Sequence, residues 1–246
     1  MSACSTAAHA IGLVNNMIRE GAVDIGLAGA AEASLNWGAT RAWQAMRVLS
    51  PDGLWPFAKK RNGTVLAEGG GVLMLEEFEH AKARGAKILA EVLRYGATAD
   101  AGDMVNPSIE GAAAAMQAAL DDSGLAPSDI DYVNAHGTGT AVNDLNETRA
   151  IRHVFGNAAD ELSVSSTKSM HGHCLGASGA IEAVAAIKSI NEGFVPATIG
   201  LDEPSEECDL DYTANVGRKR TINFAMSNSF AFGGLNAVLV FGPNPA

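Results

Sequence analysis

Three side chains able to do nucleophilic and proton chemistry stand among small and hydroxylated residues. Cys4 lies in Ala3-Cys4-Ser5. His136 lies in Asn134-Ala135-His136-Gly137-Thr138-Gly139-Thr140, and His173 closes Ser165-Ser166-Thr167-Lys168-Ser169-Met170-His171-Gly172-His173. A histidine that only fills a core needs no such company. One aimed at a substrate oxygen needs backbone that can come close, which glycine permits, and hydroxyl partners that fix its tautomer. With a thiol added, these loops point to an enzyme that works on a carbon skeleton through a sulfur nucleophile. Taken singly, each has a plainer reading: a buried cysteine at a helix start, and loop histidines bonded to nearby hydroxyls. Their conjunction favours the chemical reading.

An alternating α/β pattern must position these groups. Ser5 to Glu20 carries Ile11, Val14, Met17 and Ile18 at near-helical spacing and stops at Gly21, which predicts a helix with Cys4 at its start. Strands are predicted over 23–29, 71–78, 87–93, 130–135, 221–227 and 237–241, and helices over 79–84, 109–123, 143–155 and 175–191. The short strand before His136 delivers that residue at a carboxyl end, where α/β folds place ligands. An internal echo aligns Cys4, Ala10-Ile11 and Gly21 with Cys174, Ala180-Ile181 and Gly193, as a duplicated half would. His9 and His153 fall on helix-like segments and read as incidental.

With 246 residues, 47% apolar and 18% charged, the chain can bury a sizeable core. A net charge of −11 disfavours a general nucleic-acid binder, because neutralising phosphates needs a basic surface. Cys4, Cys174 and Cys208 form an odd set without zinc spacing, so no metal site or disulfide framework is expected and a reducing, cytoplasmic setting is the default. No apolar run reaches the roughly 18 to 20 residues of a membrane span, and no basic-then-apolar leader is visible, so neither insertion nor export is expected.

The residues also carry a family resemblance. Ala3-Cys4-Ser5, Ala28-Gly29-Ala30-Ala31-Glu32, the two histidine loops, Cys174-Leu175-Gly176-Ala177 and Asn228-Ser229-Phe230-Ala231-Phe232-Gly233-Gly234-Leu235-Asn236 follow one another in the order of a type II β-ketoacyl-[acyl-carrier-protein] synthase. The chain resembles the C-terminal portion of such an enzyme, close to the nodulation protein E branch. The resemblance implies a thiolase-like αβαβα sandwich, with residues 1–85 the tail of the N-terminal half and 86–246 the C-terminal half. Because family members carry a long segment ahead of the nucleophilic cysteine, the expectation is a truncated chain with a complete second half, an incomplete first half and two unpaired sheet edges.

The implied activity is a decarboxylating Claisen condensation of an acyl-thioester held on Cys4 with malonyl-acyl-carrier protein. At a helix N-terminus the Cys4 thiol is expected to be acidified by free N–H groups and the helix dipole. As neutral imidazoles, His136 and His173 would donate to the malonyl thioester oxygen. His171 is a rival two positions away; the Gly172-His173 pair matches the motif. Lys168 is expected to pair with Glu147 and hold His173 and its loop. The backbone N–H groups of Cys4 and Phe232 would form the oxyanion hole, and Phe230 and Phe232 would wall and gate the acyl pocket. Gly233 and Gly234 would let that loop approach the nucleophile, and Thr138 and Thr140 would hydrogen-bond the phosphopantetheine arm. Ala231 and Leu235 stand where glycine and threonine are usual, and Ala58 where aspartate is usual in a loop that runs short here.

The acidic carrier is expected to dock on Arg47 and on the Lys59-Lys60-Arg61 cluster. A homodimer is implied. No resident cofactor is expected, since phosphopantetheine arrives on the carrier. Two other readings stay open: an inert truncated or partner subunit of a ketosynthase dimer, and a thiolase-like enzyme of coenzyme A esters. The latter would use a second cysteine as base.

Overall fold

A computed structural model describes residues 1–245. Its helices are α1 (Thr6–Arg19), α2 (Trp37–Ala45), α3 (Phe78–Ala83), α4 (Ile109–Ser123), α5 (Ala141–Phe155), α6 (Lys168–His171) and α7 (Ser178–Glu192). Its strands are β1 (Ile25–Glu32), β2 (Gly69–Glu76), β3 (Glu91–Ala99), β4 (Tyr132–Asn134), β5 (Ser163–Ser165), β6 (Phe194–Val195), β7 (Arg218–Lys219), β8 (Ala225–Ala231) and β9 (Leu235–Gly242). A five-stranded sheet runs in the order β3-β9-β8-β4-β5, and β1-β2 and β6-β7 form two-stranded antiparallel sheets.

Local signals explain the best-defined elements. The Ser108 side chain accepts from the Gly111 N–H at 3.1 Å and caps α4, while Gly124, at φ 71°, ends it in a left-handed turn. Between these caps Ala112, Ala115, Met116, Ala119 and Leu120 form one buried stripe. Burying a side chain such as Met116 or Leu120 contributes about 1.5–3 kcal/mol. In α1 the stripe is Ala7, Ala8, Ile11 and Asn15.

The layers follow from which faces are apolar. α1 and α7 lie between the β1-β2 sheet and the five-stranded sheet, whose far face is covered by α4 and α5. One core cluster joins Ala8, Ile11, Ala180 and Ala183 to Leu75, Leu239 and Phe241; the other joins Met116, Leu120 and Ile151 to Val133, Val164 and Val238. The two middle helices cross closely because Gly179 has no side chain: a Cβ there would lie 2.9 Å from the Ala8 nitrogen. The other face of the β1-β2 sheet is exposed at Leu27, Val72 and Met74.

Strand direction decides what the sheet presents. β8, β4 and β5 are parallel neighbours, with Asn134 paired to Ser227 on one side and Ser165 on the other. Their carboxyl ends therefore emerge together, carrying Phe230–Phe232, His136 and Lys168 to one edge. β9 returns antiparallel to β8.

Several predicted elements move. The strand expected at 87–93 begins at Glu91, runs to Ala99 and carries a bulge between Val92 and Arg94. The strand expected at 221–227 is β8, displaced to Ala225–Ala231 by its pairing with Tyr132 to Asn134. Helix α2, capped by the Asn36 side chain on the Ala39 N–H at 3.0 Å, was not predicted, because it buries none of its residues and so has no apolar stripe. Strand β5 and helix α6 were not predicted either, being too short to show a period.

The internal echo is real in backbone terms but its register is corrected. A 3-10 turn at Ala3–Ser5 leads into α1, and one at Leu175–Ala177 leads into α7. Ala3 and Leu175 open these turns with positive φ values of 46° and 42°. Cys4 therefore corresponds to Gly176, not to Cys174.

Candidate active site

The 3-10 turn before α1 places Cys4 in a buried position facing the sheet edge. Its Sγ lies 3.2 Å from His173 Nε2, and the other nitrogen of that ring, Nδ1, lies 2.9 Å from Ser178 Oγ. The His136 ring stands edge-on to His173 at 5.5 Å between centroids. Cys4, His136 and His173 line one cavity of about 280 Å³, together with Thr138, Thr140, Arg47, Phe230, Phe232 and Gly234. Trp43 stacks on Phe232 at 5.7 Å and 27° in the same wall.

The first histidine loop is held from below. Glu147, fully buried on α5, accepts from the main-chain N–H groups of His136 at 2.7 Å and Gly137 at 2.8 Å and from the Asn228 side chain at 3.1 Å. Asp144, one turn earlier, accepts from the N–H of Gly139 at 3.1 Å and of Phe57 at 2.8 Å. Gly139 sits at φ 76°, where a Cβ would lie 2.8 Å from the Gly63 oxygen, so both conformation and space require glycine there. Thr138 and Thr140 bond each other at 3.0 Å through their hydroxyls, and Thr140 makes no side-chain cap on α5. Both hydroxyls thus belong to the cavity and not to the helix end.

Two expectations need correction here. Lys168 does not pair with Glu147: it forms a fully buried ion pair with Glu182 of α7. From that position Nζ donates to the His136 main-chain oxygen at 2.7 Å and lies 3.3 Å from His136 Nδ1, so it holds His136 and not His173. Glu147 already has four donors around it, which leaves the lysine to the unpartnered Glu182. Glu182 was missed, although a single acid in the otherwise apolar, alanine-rich face of α7 is a readable signal of a buried partner.

The second correction concerns the thiol. Burial pushes Cys4 up to about 11 against a reference of 9.0, opposed by the Lys168 charge and reinforced by Glu182 and Glu32. Desolvation of the thiolate outweighs the short turn's dipole, so the resting sulfur is a thiol. His136 and His173 are both held well below the usual histidine value by burial first and by the Lys168 charge next. Each is a neutral ring with one N–H and one bare nitrogen.

Other candidates separate cleanly. His171 lies outside the cavity lining, bonded through Nδ1 to the Gly172 oxygen at 2.8 Å and through Nε2 to Thr167 Oγ1 at 3.2 Å. His9 bonds the Tyr95 hydroxyl. Cys174 and Cys208 are buried away from the cavity, so no second thiol faces Cys4 as a thiolase-like base would. Gly233 turns at φ 83° and donates its N–H to the Met104 oxygen at 2.8 Å, tying the Phe232 loop to the segment before α4.

The expected basic patch is largely neutralised. Lys59 pairs with Glu203 at 2.6 Å and Lys60 with Asp202 at 3.1 Å, while Arg61 donates to the main-chain oxygens of Ala58 and Ala141. Arg47, exposed at the end of α2 with φ 57°, is the predicted docking cation that borders the cavity. Among the described residues no group of three or more His, Cys, Asp or Glu could hold a metal ion, and no helix is long and apolar enough to cross a membrane.

Comparison with known proteins agrees with this arrangement. The families described as "Beta-ketoacyl synthase, N-terminal domain" and "Beta-ketoacyl synthase, C-terminal domain" match residues 1–81 and 89–202. Nodulation protein E of Rhizobium sp. (strain N33) is 52% identical over 240 residues, covering 98% of this chain and 60% of the relative. The 3-oxoacyl-[acyl-carrier-protein] synthase 2 of Staphylococcus aureus (strain COL) is 46% identical over 248 residues with the same coverage. A solved type II PKS acyl-carrier protein in complex with its ketosynthase bound to the hexaketide superposes at TM-score 0.95 with 39% identity, over 98% of this chain and 61% of that one. The chain thus spans about 60% of the length of the curated relatives it matches. Two family matches in chain order, and a shared thiolase-like ketosynthase fold that brings Cys4, His136 and His173 together, establish that the chain belongs to the β-ketoacyl synthase family.

Proposed function

We propose that the protein catalyses a decarboxylating Claisen condensation between an acyl group held on Cys4 and malonyl-acyl-carrier protein, giving a 3-oxoacyl-acyl-carrier protein. The observation that carries this reading is the convergence of one thiol and two neutral imidazoles on a single cavity. In the first half-reaction the Cys4 sulfur bonds the acyl carbon, and the departing carrier thiolate leaves with the thiol proton. In the second, the bond from the malonyl methylene to its carboxylate breaks, carbon dioxide leaves, and its electron pair forms an enolate. That carbon attacks the acyl carbon and expels the Cys4 sulfur as a thiolate, which takes its proton from water.

His136 and His173 stabilise the enolate oxygen through N–H groups, so that decarboxylation does the work of a strong base. One preorganised donor of this kind is worth about 2.7–4 kcal/mol. The N–H groups of Cys4 and Phe232 hold the tetrahedral oxyanion, Phe230 and Phe232 bound the acyl chain, and Thr138 and Thr140 take the phosphopantetheine arm. Gly233 and Gly234 shape the turn that brings Phe232 over the sulfur. Glu147 and Lys168 position the His136 loop.

The carrier docks at Arg47; the paired Lys59 and Lys60 add little charge of their own. Residues 1–85 and 86–246 are proposed as the two thiolase-like halves. Cytoplasmic location, homodimer formation and the absence of a resident cofactor belong to the same reading and rest on the family resemblance.

The test is intact-mass analysis of the folded protein after incubation with an acyl-carrier thioester. An acyl adduct that disappears in Cys4→Ser is expected. A folded chain that takes up no acyl group would overturn the reading and leave the inert or partner-subunit alternative.

A further inference from the structure

His173 faces two demands that a single tautomer does not meet. To accept the Cys4 proton, Nε2 must be bare, and the ring proton must sit on Nδ1. To donate to an enolate oxygen, Nε2 must carry the proton, and Nδ1 must be bare. A main-chain N–H or C=O opposite Nδ1 would serve one state and oppose the other. Here Nδ1 meets a hydroxyl, Ser178 Oγ, at 2.9 Å, in a pocket where both side chains are buried. A hydroxyl rotates its proton and can donate or accept.

We propose that Ser178 is a positioning residue for His173, whose hydroxyl accepts from Nδ1–H during acylation and donates to bare Nδ1 during condensation, so that one ring serves both half-reactions. This inference rests on the condensing function proposed above. In acylation the proton of Cys4 passes to Nε2, the sulfur bonds the acyl carbon, and the Nδ1–H of the transient imidazolium donates to Ser178 Oγ. The departing carrier thiolate then takes the proton from Nε2. Before condensation the neutral ring exchanges its one proton with water in the cavity, losing it from Nδ1 and gaining it at Nε2, with no net change.

Ser178 opens α7 directly after the 3-10 turn and is followed by Gly179, whose missing side chain lets α7 sit against α1, so the hydroxyl and the Cys4 turn are placed by the same helix contact. The charged and titratable groups around the pair are Lys168 and His171 of α6, Glu182 of α7, Glu32 at the end of β1, and His136. None of them is replaced in the variant that tests the idea.

The experiment follows alkylation of Cys4 by iodoacetamide against pH, read by the mass of the peptide carrying Cys4, in the wild type and in Ser178→Ala, Ser178→Thr and His173→Asn. It needs no acyl substrate, so it stands or falls apart from the condensing function. Ser178→Ala removes the acceptor for Nδ1–H and is expected to slow alkylation near neutral pH about tenfold and move the profile to higher pH, as one lost hydrogen bond to a charged ring would. Ser178→Thr, which keeps a hydroxyl, is expected to restore the profile. Packing at α7 alone would change melting temperature without moving the profile. A Ser178→Ala profile that superposes on the wild type, or a wild-type profile unchanged in His173→Asn, overturns the proposal.

Discussion

Lys168 Nζ donates to the His136 main-chain oxygen at 2.7 Å while its charge is neutralised by Glu182, with both side chains fully buried. An ion pair in this position fixes the height of the His136 loop above the sheet and supplies the nearest positive charge to both histidine rings and the Cys4 sulfur.

Breaking that pair strands a charge. Lys168→Met leaves Glu182 buried without its partner and is expected to destabilise the fold by about 3–5 kcal/mol in urea unfolding. The double variant Lys168→Met with Glu182→Leu removes both charges and is expected to recover most of the loss. Equal losses in the single and double variants would mean that packing, not charge, is what the pair contributes.

Glu147 acts on the same loop through its carboxylate. Glu147→Gln replaces one acceptor oxygen by an N–H₂ group that faces the His136 or Gly137 N–H, and is expected to cost about 1–3 kcal/mol. Hydrogen exchange at the amides of His136 and Gly137 should quicken more than at the centre of β9.

Asp144 makes stability depend on pH. Burial raises its carboxyl from 3.8 to about 6, against hydrogen bonds from Phe57 and Asn143 that favour the anion. The folded state therefore holds this proton more tightly than the unfolded chain. Its contribution is fully present below the unfolded value near 3.8 and is lost as pH rises through about 6, a change of about 3 kcal/mol. Melting curves over that window should show a decline that is shallower in Asp144→Asn.

Trp43 narrows the cavity by stacking on Phe232. Trp43→Ala is expected to enlarge the acyl space and to shift the longest acyl group found on Cys4 by intact mass toward longer chains. The stack itself should register as a coupling of about 0.5–1.5 kcal/mol in a double-mutant cycle with Phe232→Ala. An unchanged acyl range would place the limit elsewhere in the wall.

Docking charge should divide unequally. Arg47→Gln is expected to raise the KM for an acyl-carrier substrate several-fold, with a matching loss of salt dependence. Lys59→Ala and Lys60→Ala each release an exposed partner acid and should change stability by under about 1 kcal/mol. A larger KM effect from the lysines than from Arg47 would reverse the assignment.

Much of this was legible in the residues because it depends on local order. The caps of α4 at Ser108 and Gly124, the apolar stripe of α1, and the glycine-bounded loops at His136 and His173 are each written within about four residues of where they act. The motif order likewise named the family, and with it the identity of the chemical groups. Tertiary structure alone decided how those groups meet. The parallel pairing of β8, β4 and β5 brings three distant loops to one edge, and no periodicity encodes which strands are neighbours. Lys168 finds Glu182 instead of Glu147, and the Cys4 thiol is raised instead of lowered, because partner choice and desolvation depend on what surrounds a group in space. The chain order names the reacting atoms; the packing of α1 and α7 between two sheets sets their distances and their protons.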